Sequence, residues 1–166
     1  MELEQFKQAV IVLPAAEADM WRRRYRDRFV DVSLEHYRQY VENYEKFSDG
    51  WCYRGYLWDC MMKEAHVVTD RRLKDILRRK GQILTMWDVH SRDHVFIENY
   101  WKFPKRAVLS LKAEHLLANL EHLPEDLYVF DHELDWTCVF THEDNREGRP
   151  LRLLVESPPA IGRKIS

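Results

Sequence analysis

Hydrophobic side chains recur every three or four residues in the first third of the chain, which is the spacing of an amphipathic helix. Over Ala15–Phe29 they form one apolar stripe, and the arginines within Arg22–Arg28 fill the other faces. A second helix is predicted to begin at Ser33, whose side chain suits an N-cap, and to end at the polar turn 48–50. Residues 1–50 are therefore expected to form a helical N-terminal part.

The part from residue 51 to residue 156 is expected to mix helices with strands. Thr69 is a favourable cap for a helix from Asp70 to about Lys80, and the apolar spacing of Leu111–Leu120 predicts another helix. The aromatic run Gly55–Trp58 is compatible with either a strand or a buried helix. Periodicity does not decide between these two alternatives.

Strands are predicted where β-branched and aromatic residues cluster between turn residues. Gln82–His90 and Val95–Ile97 are expected to pair as a hairpin through a short polar turn. Leu127–Phe130 and Trp136–Phe140 are expected to form a second hairpin, and Leu151–Val155 is a further strand. The last third of the chain is therefore rich in β-structure.

This order of elements predicts a single α+β domain over residues 1–166, in which the N-terminal helices pack on one face of a mainly antiparallel sheet. A length of 166 residues is typical of one domain, and a hydrophobic fraction of 45% is sufficient for a core. The segment 157–166 contains two prolines and a glycine and is expected to fray.

The charge of the chain argues against a nucleic-acid partner. The formal net charge is −2, whereas nucleic-acid binders usually carry a basic net charge and a clustered basic surface. Two basic stretches do occur, Arg22–Arg28 and Arg71–Lys80. Their simpler interpretation is that each is the solvated face of a helix, so nucleic-acid binding is not expected.

The composition also bears on location and on cofactors. The three cysteines form no C-x-x-C pair, which favours reduced thiols in the cytoplasm, and Cys138 is expected to be a buried, unreactive thiol. No apolar run approaches the roughly 18 residues of a membrane span. The five glycines are isolated and form no phosphate-binding loop. We therefore expect a cytoplasmic protein without a membrane segment and without a cofactor.

Asp88 and His90 form the most enzyme-like local pattern. In a strand these two side chains would emerge on one face, where a carboxylate could orient an imidazole or both could bind a metal. Asp131 and His142 could join them from the second hairpin, which would make a metal-dependent hydrolase. The simpler interpretation is that these are polar residues at strand ends, so the sequence favours no catalytic residue and no metal site.

Acidic residues dominate the segment from Glu121 to Glu147, where Arg146 is the only lysine or arginine. If the two hairpin loops lie together, they form an acidic rim that would attract a basic protein by electrostatic steering. Nearby aromatic residues could anchor such an interface. The simpler interpretation is a solubilising acidic surface. The residues of this predicted interface are Asp131, Glu133, Asp135, Glu143, Asp144, Tyr128 and Trp136.

One set of segments resembles a group of small, functionally uncharacterised bacterial proteins. The set consists of the run PEDLYVFD at 124–131, the pair Trp136-Thr137, the triplet at 141–143, and the runs 55–59 and 86–90. The resemblance covers about residues 50–156 and implies a small cytosolic domain with no catalytic residue to transfer. Proteins of this size often act as immunity partners of toxins, so the preferred hypothesis is a non-catalytic immunity protein that binds a basic toxin domain.

Overall fold

The computed structural model describes residues 1–42 and 45–156; the segment 157–166, for which fraying is predicted, lies outside these ranges. Within them are five α-helices: α1 (Leu3–Ala9), α2 (Ala15–Phe29), α3 (Glu35–Tyr37), α4 (Asp70–Arg78) and α5 (Ala113–Ala118). A π-helical turn covers Arg38–Glu42, and 3₁₀ turns cover Leu57–Cys60 and Leu120–His122. The nine strands of the described ranges are β1 (Ile11–Val12), β2 (Glu45–Phe47), β3 (Gly50–Cys52), β4 (His66–Val68), β5 (Gln82–Trp87), β6 (Leu109–Lys112), β7 (Leu127–Phe130), β8 (Trp136–Asp144) and β9 (Pro150–Glu156).

Seven of the strands form one antiparallel sheet in the order β1-β6-β5-β7-β8-β9-β4, and β2 pairs with β3 as a separate hairpin. Strands β7, β8 and β9 follow one another as a meander. Trp87 pairs with Leu127, and Leu127 also pairs with Phe140. This register brings the end of β5, the start of β7 and the second half of β8 to the same end of the sheet.

Both faces of the sheet are covered because the central strands carry apolar side chains in both directions. All four residues of β7 are buried, and they alternate between two hydrophobic clusters. Helices α1, α4 and α5 cover one face, where Leu73, Leu77 and Leu116 are fully buried. Helix α2 covers the other face with Tyr25 and Phe29.

The predicted α+β class with an antiparallel sheet is confirmed, and helix α2 has the predicted bounds. The N-terminal helices do not share one face as predicted, because α1 packs on the side of α4 and α5 and α2 packs on the opposite side. Helix α4 also begins as predicted, because the Thr69 hydroxyl accepts a hydrogen bond from the backbone N–H of Arg72 at 3.1 Å. Helix α2 is the longest of these helices, and the described residues contain none that is long and apolar enough to cross a lipid bilayer.

The prediction of a long second helix from Ser33 to the turn 48–50 is wrong. The described helical residues extend to Glu42, residues 43–44 lie outside the described ranges, and β2 begins at Glu45. The backbone carbonyl of Tyr40 accepts hydrogen bonds from the backbone N–H groups of Arg54 and Gly55, both at 2.9 Å, so it is bonded outside the helix. Gly50 then adopts a φ of 109°, which allows the chain to reverse into β3.

The prediction of a strand at Val95–Ile97 is also wrong, and this segment lies in the loop between β5 and β6. Strand β5 pairs with β6 on one side and with β7 on the other, so neither edge is open to a local hairpin partner. The predicted helix at Leu111–Leu120 is shorter, because Leu111 belongs to β6. The sequence does not decide between strand and helix for the run Gly55–Trp58. The last two residues of this run belong to the 3₁₀ turn Leu57–Cys60.

Candidate functional site

Polar side chains in or next to three neighbouring strands converge at one end of the sheet. Asp88 follows the last residue of β5, and Asp126 precedes the first residue of β7. Because Trp87 pairs with Leu127, these two carboxyl groups emerge side by side. His142 lies in β8, two residues beyond the partner of Leu127, and joins them at the same end. The candidate site is built around this convergence.

Asp88 is buried, with 3% of its surface exposed. The simpler interpretation of the sequence is a solvated position at a strand end. Its carboxylate accepts a hydrogen bond from the Tyr128 hydroxyl at 2.7 Å and one from the backbone N–H of Leu57 at 3.1 Å. Burial raises the pKa of Asp88 to about 6, although the charge of His90 and these two hydrogen bonds lower it. Asp88 therefore fixes the 3₁₀ turn to the sheet.

Asp126 is a buried carboxylate that orients His142. It accepts hydrogen bonds from the Trp58 indole N–H at 3.0 Å and from the backbone N–H of His142 at 3.1 Å. The His142 Nδ1 lies 3.0 Å from both carboxylate oxygens, so this nitrogen carries a proton and its N–H donates a hydrogen bond to Asp126. Burial alone would lower the pKa of His142, but the hydrogen bond and charge of Asp126 outweigh it and the pKa is raised.

The ring of Tyr56 lies between the two histidines of this end of the sheet. Its centroid is 4.6 Å from that of His90 and 4.9 Å from that of His142, and it stacks on Trp58 at 5.3 Å. The His90 Nε2 donates a hydrogen bond to the carbonyl of Gly55 at 2.8 Å. His90 and His142 therefore share an aromatic neighbour but have separate hydrogen-bond partners.

A cleft of about 570 Å³ opens beside His142 and is predominantly acidic. Five carboxylate side chains line it, against the two cationic side chains of Lys102 and Arg152. Arg152 is already paired with Asp70, with its Nε 2.8 Å from a carboxylate oxygen. We call this feature the acidic cleft. Its carboxylates are Glu98, Glu121, Glu125, Glu143 and Asp144.

An exposed apolar segment borders the acidic cleft. Ile97 lines the cleft and is largely exposed, and the preceding residue, Phe96, has 93% of its surface exposed. Both belong to the loop that was predicted as a strand. Adjacent exposed apolar side chains beside a charged cleft are typical of a surface that contacts another molecule.

The predicted acidic rim is divided between the two ends of β8. Asp131, Glu133 and Asp135 lie in the β7–β8 turn, whereas Glu143 and Asp144 are at the far end of β8. Consecutive loops of an antiparallel meander alternate between the ends of the sheet, and nine residues of strand span about 27 Å. The two loops therefore do not form one surface.

The two predicted aromatic anchors are in the core. Tyr128 is completely buried on the α2 side of the sheet, and Trp136, with 7% exposed, packs on the opposite face. A strand alternates its side chains between the two faces, and here both faces are covered. Neither ring lies on the surface where a partner would bind.

The four residues of the alternative metal site are not brought together. Asp88, His90 and His142 share one end of the sheet, and Asp131 lies at the other, where its carboxylate accepts a hydrogen bond from the backbone N–H of Asp135 at 2.9 Å. Over residues 1–42 and 45–156, no three histidine, cysteine, aspartate or glutamate side chains are arranged to hold a metal ion.

Sequence reasoning missed Tyr56, Trp58 and Asp126 as members of the site. Asp126 appeared only as one acidic residue among many, and its partners Trp58 and His142 are distant in sequence. The available signal was the run of aromatic residues directly before Asp59, within a segment that also carries the family resemblance.

Comparisons with known proteins found no relative of this chain. No protein-family model and no curated protein match the sequence, and no solved structure matches the fold. The resemblance to small bacterial proteins therefore stays a prediction.

Proposed function

We propose that this protein is a non-catalytic, cytoplasmic binding domain that captures a basic protein through the acidic cleft. The observation that supports this proposal is the set of five carboxylates around one open cleft in which one of the two cations is already paired with Asp70. The class of partner indicated by the resemblance is a toxin domain. In its specific form the proposal is therefore an immunity protein that neutralises a toxin by covering part of its surface.

Electrostatics explains why such a cleft suits a basic partner. Charges of one sign that line a concave surface focus the field, raise the local concentration of oppositely charged groups and speed association. A lysine or arginine of the partner could enter the cleft and meet several carboxylates at once. Like-charged acidic proteins would be repelled, which gives the cleft selectivity as well as speed.

Phe96 and Ile97 supply the apolar part that a charged cleft lacks. Binding energy in protein interfaces is concentrated in a few buried anchors, and peripheral charges contribute mainly to the rate of association. Burial of the exposed Phe96 ring against a partner would provide such an anchor. The acidic cleft and this apolar segment together match the usual anatomy of a protein interface.

The division of acidic residues between the two ends of β8 offers a matched test. The cleft variant carries Glu143→Lys and Asp144→Lys, and the control variant carries Glu133→Lys and Asp135→Lys at the opposite end. Both variants change the net charge equally. Capture of proteins from cells of the natural source, followed by quantitative mass spectrometry, compares what the two variants and the original protein retain.

We expect a basic protein to be retained by the original protein and by the control variant, and to be lost from the cleft variant. Equal retention by all three would contradict the proposal, because the cleft charges would then be irrelevant. Equal loss from both variants would also contradict it, because net charge alone would explain the binding.

A second candidate function is hydrolysis with His142 as a general base. The observation that favours it is the buried Asp126 carboxylate, which fixes the imidazole through Nδ1, while Nε2 lies beside the cleft, 3.8 Å from a carboxylate oxygen of Glu143. His142→Gln should abolish hydrolysis of chromogenic ester substrates, while circular dichroism shows that the variant is still folded.

A further inference from the structure

The solvent side of helix α4 is strongly basic. The segment 70–80 contains six lysines and arginines against two aspartates. One side of the helix lines a groove of about 580 Å³, to which Glu156 contributes from the end of β9. We call this feature the basic groove. Its arginines are Arg71, Arg72 and Arg79.

The acidic residues of the basic groove do not neutralise these arginines. The three arginine side chains are exposed, and they form no hydrogen bond or ion pair with any described residue. Asp75 lines the groove but is already paired with Arg78 at 2.6 Å. The described lining holds one further carboxylate, that of Glu156. Three guanidiniums with no ion-pair partner therefore face one carboxylate outside the Asp75–Arg78 pair.

Helix α4 holds the basic groove in a fixed position on the sheet. Leu73 and Leu77 are completely buried beneath the helix. Asp70, at its start, is paired with Lys74 at 2.9 Å and with Arg152 of β9 at 2.8 Å. The basic surface is therefore carried by a firmly packed helix.

The basic groove and the acidic cleft are neighbours on one face of the sheet. Phe140 lines the cleft and Ile76 lines the groove, and both pack in the hydrophobic cluster on the α4 side. Arg152 lines the cleft, and its partner Asp70 directly follows Thr69, which lines the groove. The Asp70–Arg152 ion pair thus lies between a surface with excess carboxylates and a surface with excess guanidiniums.

We propose that two copies of this protein associate through these surfaces, with the acidic cleft of each copy against the basic groove of the other. The two surfaces are complementary in charge, and a formal net charge of −2 gives little repulsion between copies. A two-fold axis near the Asp70–Arg152 pair places each surface against its complement in the second copy. Such an arrangement closes as a dimer instead of growing into a chain.

Apolar side chains border both charged surfaces. Phe96, which is 93% exposed, lies beside the cleft, and the partly buried Ile76 lies in the groove. The dimer covers them and adds the apolar burial that an interface requires. The inference does not depend on the proposed function, because it uses only charges of this chain. A basic partner and the second copy would compete for the cleft.

The test is sedimentation velocity of the full chain from about 1 to about 100 µM, in about 0.02 M and about 0.5 M salt. The groove variant carries Arg71→Glu and Arg72→Glu, and the cleft variant carries Glu143→Lys and Asp144→Lys. The groove control carries Arg23→Glu and Arg24→Glu, two exposed arginines of α2 on the other face. The cleft control carries Glu133→Lys and Asp135→Lys. Each control has the same net charge as its variant.

We expect the original protein to dimerise at low salt and to dissociate at high salt. The groove and cleft variants should each raise the dissociation constant at least about tenfold, and the controls should change it less than about twofold. An equimolar mixture of the groove and cleft variants should restore the dimer, because both contacts again join opposite charges. Circular dichroism establishes that each variant is folded. If Arg71→Glu/Arg72→Glu does not fold, Arg71→Gln/Arg72→Gln should still weaken the dimer.

Several results would overturn the inference. They are a monomeric original protein at both salt concentrations, equal weakening by a variant and its control, or folded variants whose mixture stays monomeric. A salt-sensitive oligomer larger than a dimer would contradict the two-fold arrangement. A monomer that binds polyglutamate through the groove would assign the groove to a separate acidic partner. A monomer that still retains a basic protein would refute the dimer and leave the proposed function intact.

Discussion

Replacement of Asp88 with asparagine removes a buried ionisable group and should change how stability depends on pH. The carboxyl group is buried beneath the 3₁₀ turn and accepts hydrogen bonds from Tyr128 and from the backbone of Leu57. Burial disfavours its charged form, which raises its pKa from 3.8 to about 6. In the unfolded chain the same group is solvated and ionises at its ordinary pKa.

The sign and size of the effect follow from these two pKa values. At about pH 3 and below the group is largely protonated in both states, because both pKa values lie above this pH, and Asp88 carries little penalty. As the pH rises from about 4 to about 6, the unfolded chain loses its proton first, so the folded state becomes less stable. A difference of about two pKa units corresponds to about 3 kcal/mol, and this stability is lost above pH 6.

The assay is urea unfolding of the original protein and of Asp88→Asn between pH 3 and pH 7.5 at constant ionic strength. Asparagine cannot ionise. The unfolding free energy of the variant should therefore decline by about 3 kcal/mol less than that of the original protein over this pH range. Any hydrogen bond that the amide loses shifts its curve by a constant amount. Glu133→Gln, an exposed change, serves as the control and should follow the original curve. An equal decline for Asp88→Asn would refute the reasoning.

Three further predictions concern the neighbourhood of the site and helix α4. Gly55→Ala would place a Cβ atom 2.9 Å from that of Tyr40, so urea unfolding should show a loss of about 1–3 kcal/mol, and an unchanged midpoint would contradict this contact. Thr69→Ala removes the N-cap of α4 and should lower the free energy of unfolding by about 1 kcal/mol in the same assay. An unchanged free energy would show that the cap does not stabilise the protein. Asp126→Asn should lower the pKa of His142 in an NMR titration, because the carboxylate stabilises the imidazolium; an equal or higher pKa would exclude that role. In the original protein, the stability that His142 contributes at low pH should disappear as the pH rises through its raised pKa.

Elements with strong local signals were predictable from the sequence. Helix α2 has an apolar stripe at helical spacing and was predicted over its observed bounds. The β7–β8 hairpin has two β-rich runs joined by a polar turn. Strand β7 has its predicted bounds, and β8 begins as predicted but extends beyond Phe140 to Asp144. In each case the local preference and the tertiary environment favour the same structure.

Predictions from the sequence fail where contacts between residues that are far apart in the sequence determine the structure. Val95–Ile97 has the composition of a strand, but β5 already has partners on both edges. The prediction of an acidic rim requires that the two hairpin loops lie together. In the meander these loops lie at opposite ends of β8. The bond between Trp58 and Asp126 joins residues 68 positions apart, so no local pattern could indicate it.

The acidic cleft is tested most directly by the rate at which the captured basic partner associates with the protein at low ionic strength. Stopped-flow measurements compare the original protein, the Glu143→Lys/Asp144→Lys variant and the Glu133→Lys/Asp135→Lys control. Steering by the cleft predicts a rate roughly tenfold lower for the cleft variant than for the control, with the difference shrinking as salt is added. Equal rates for the two variants would contradict the assignment of the binding surface to this end of the sheet.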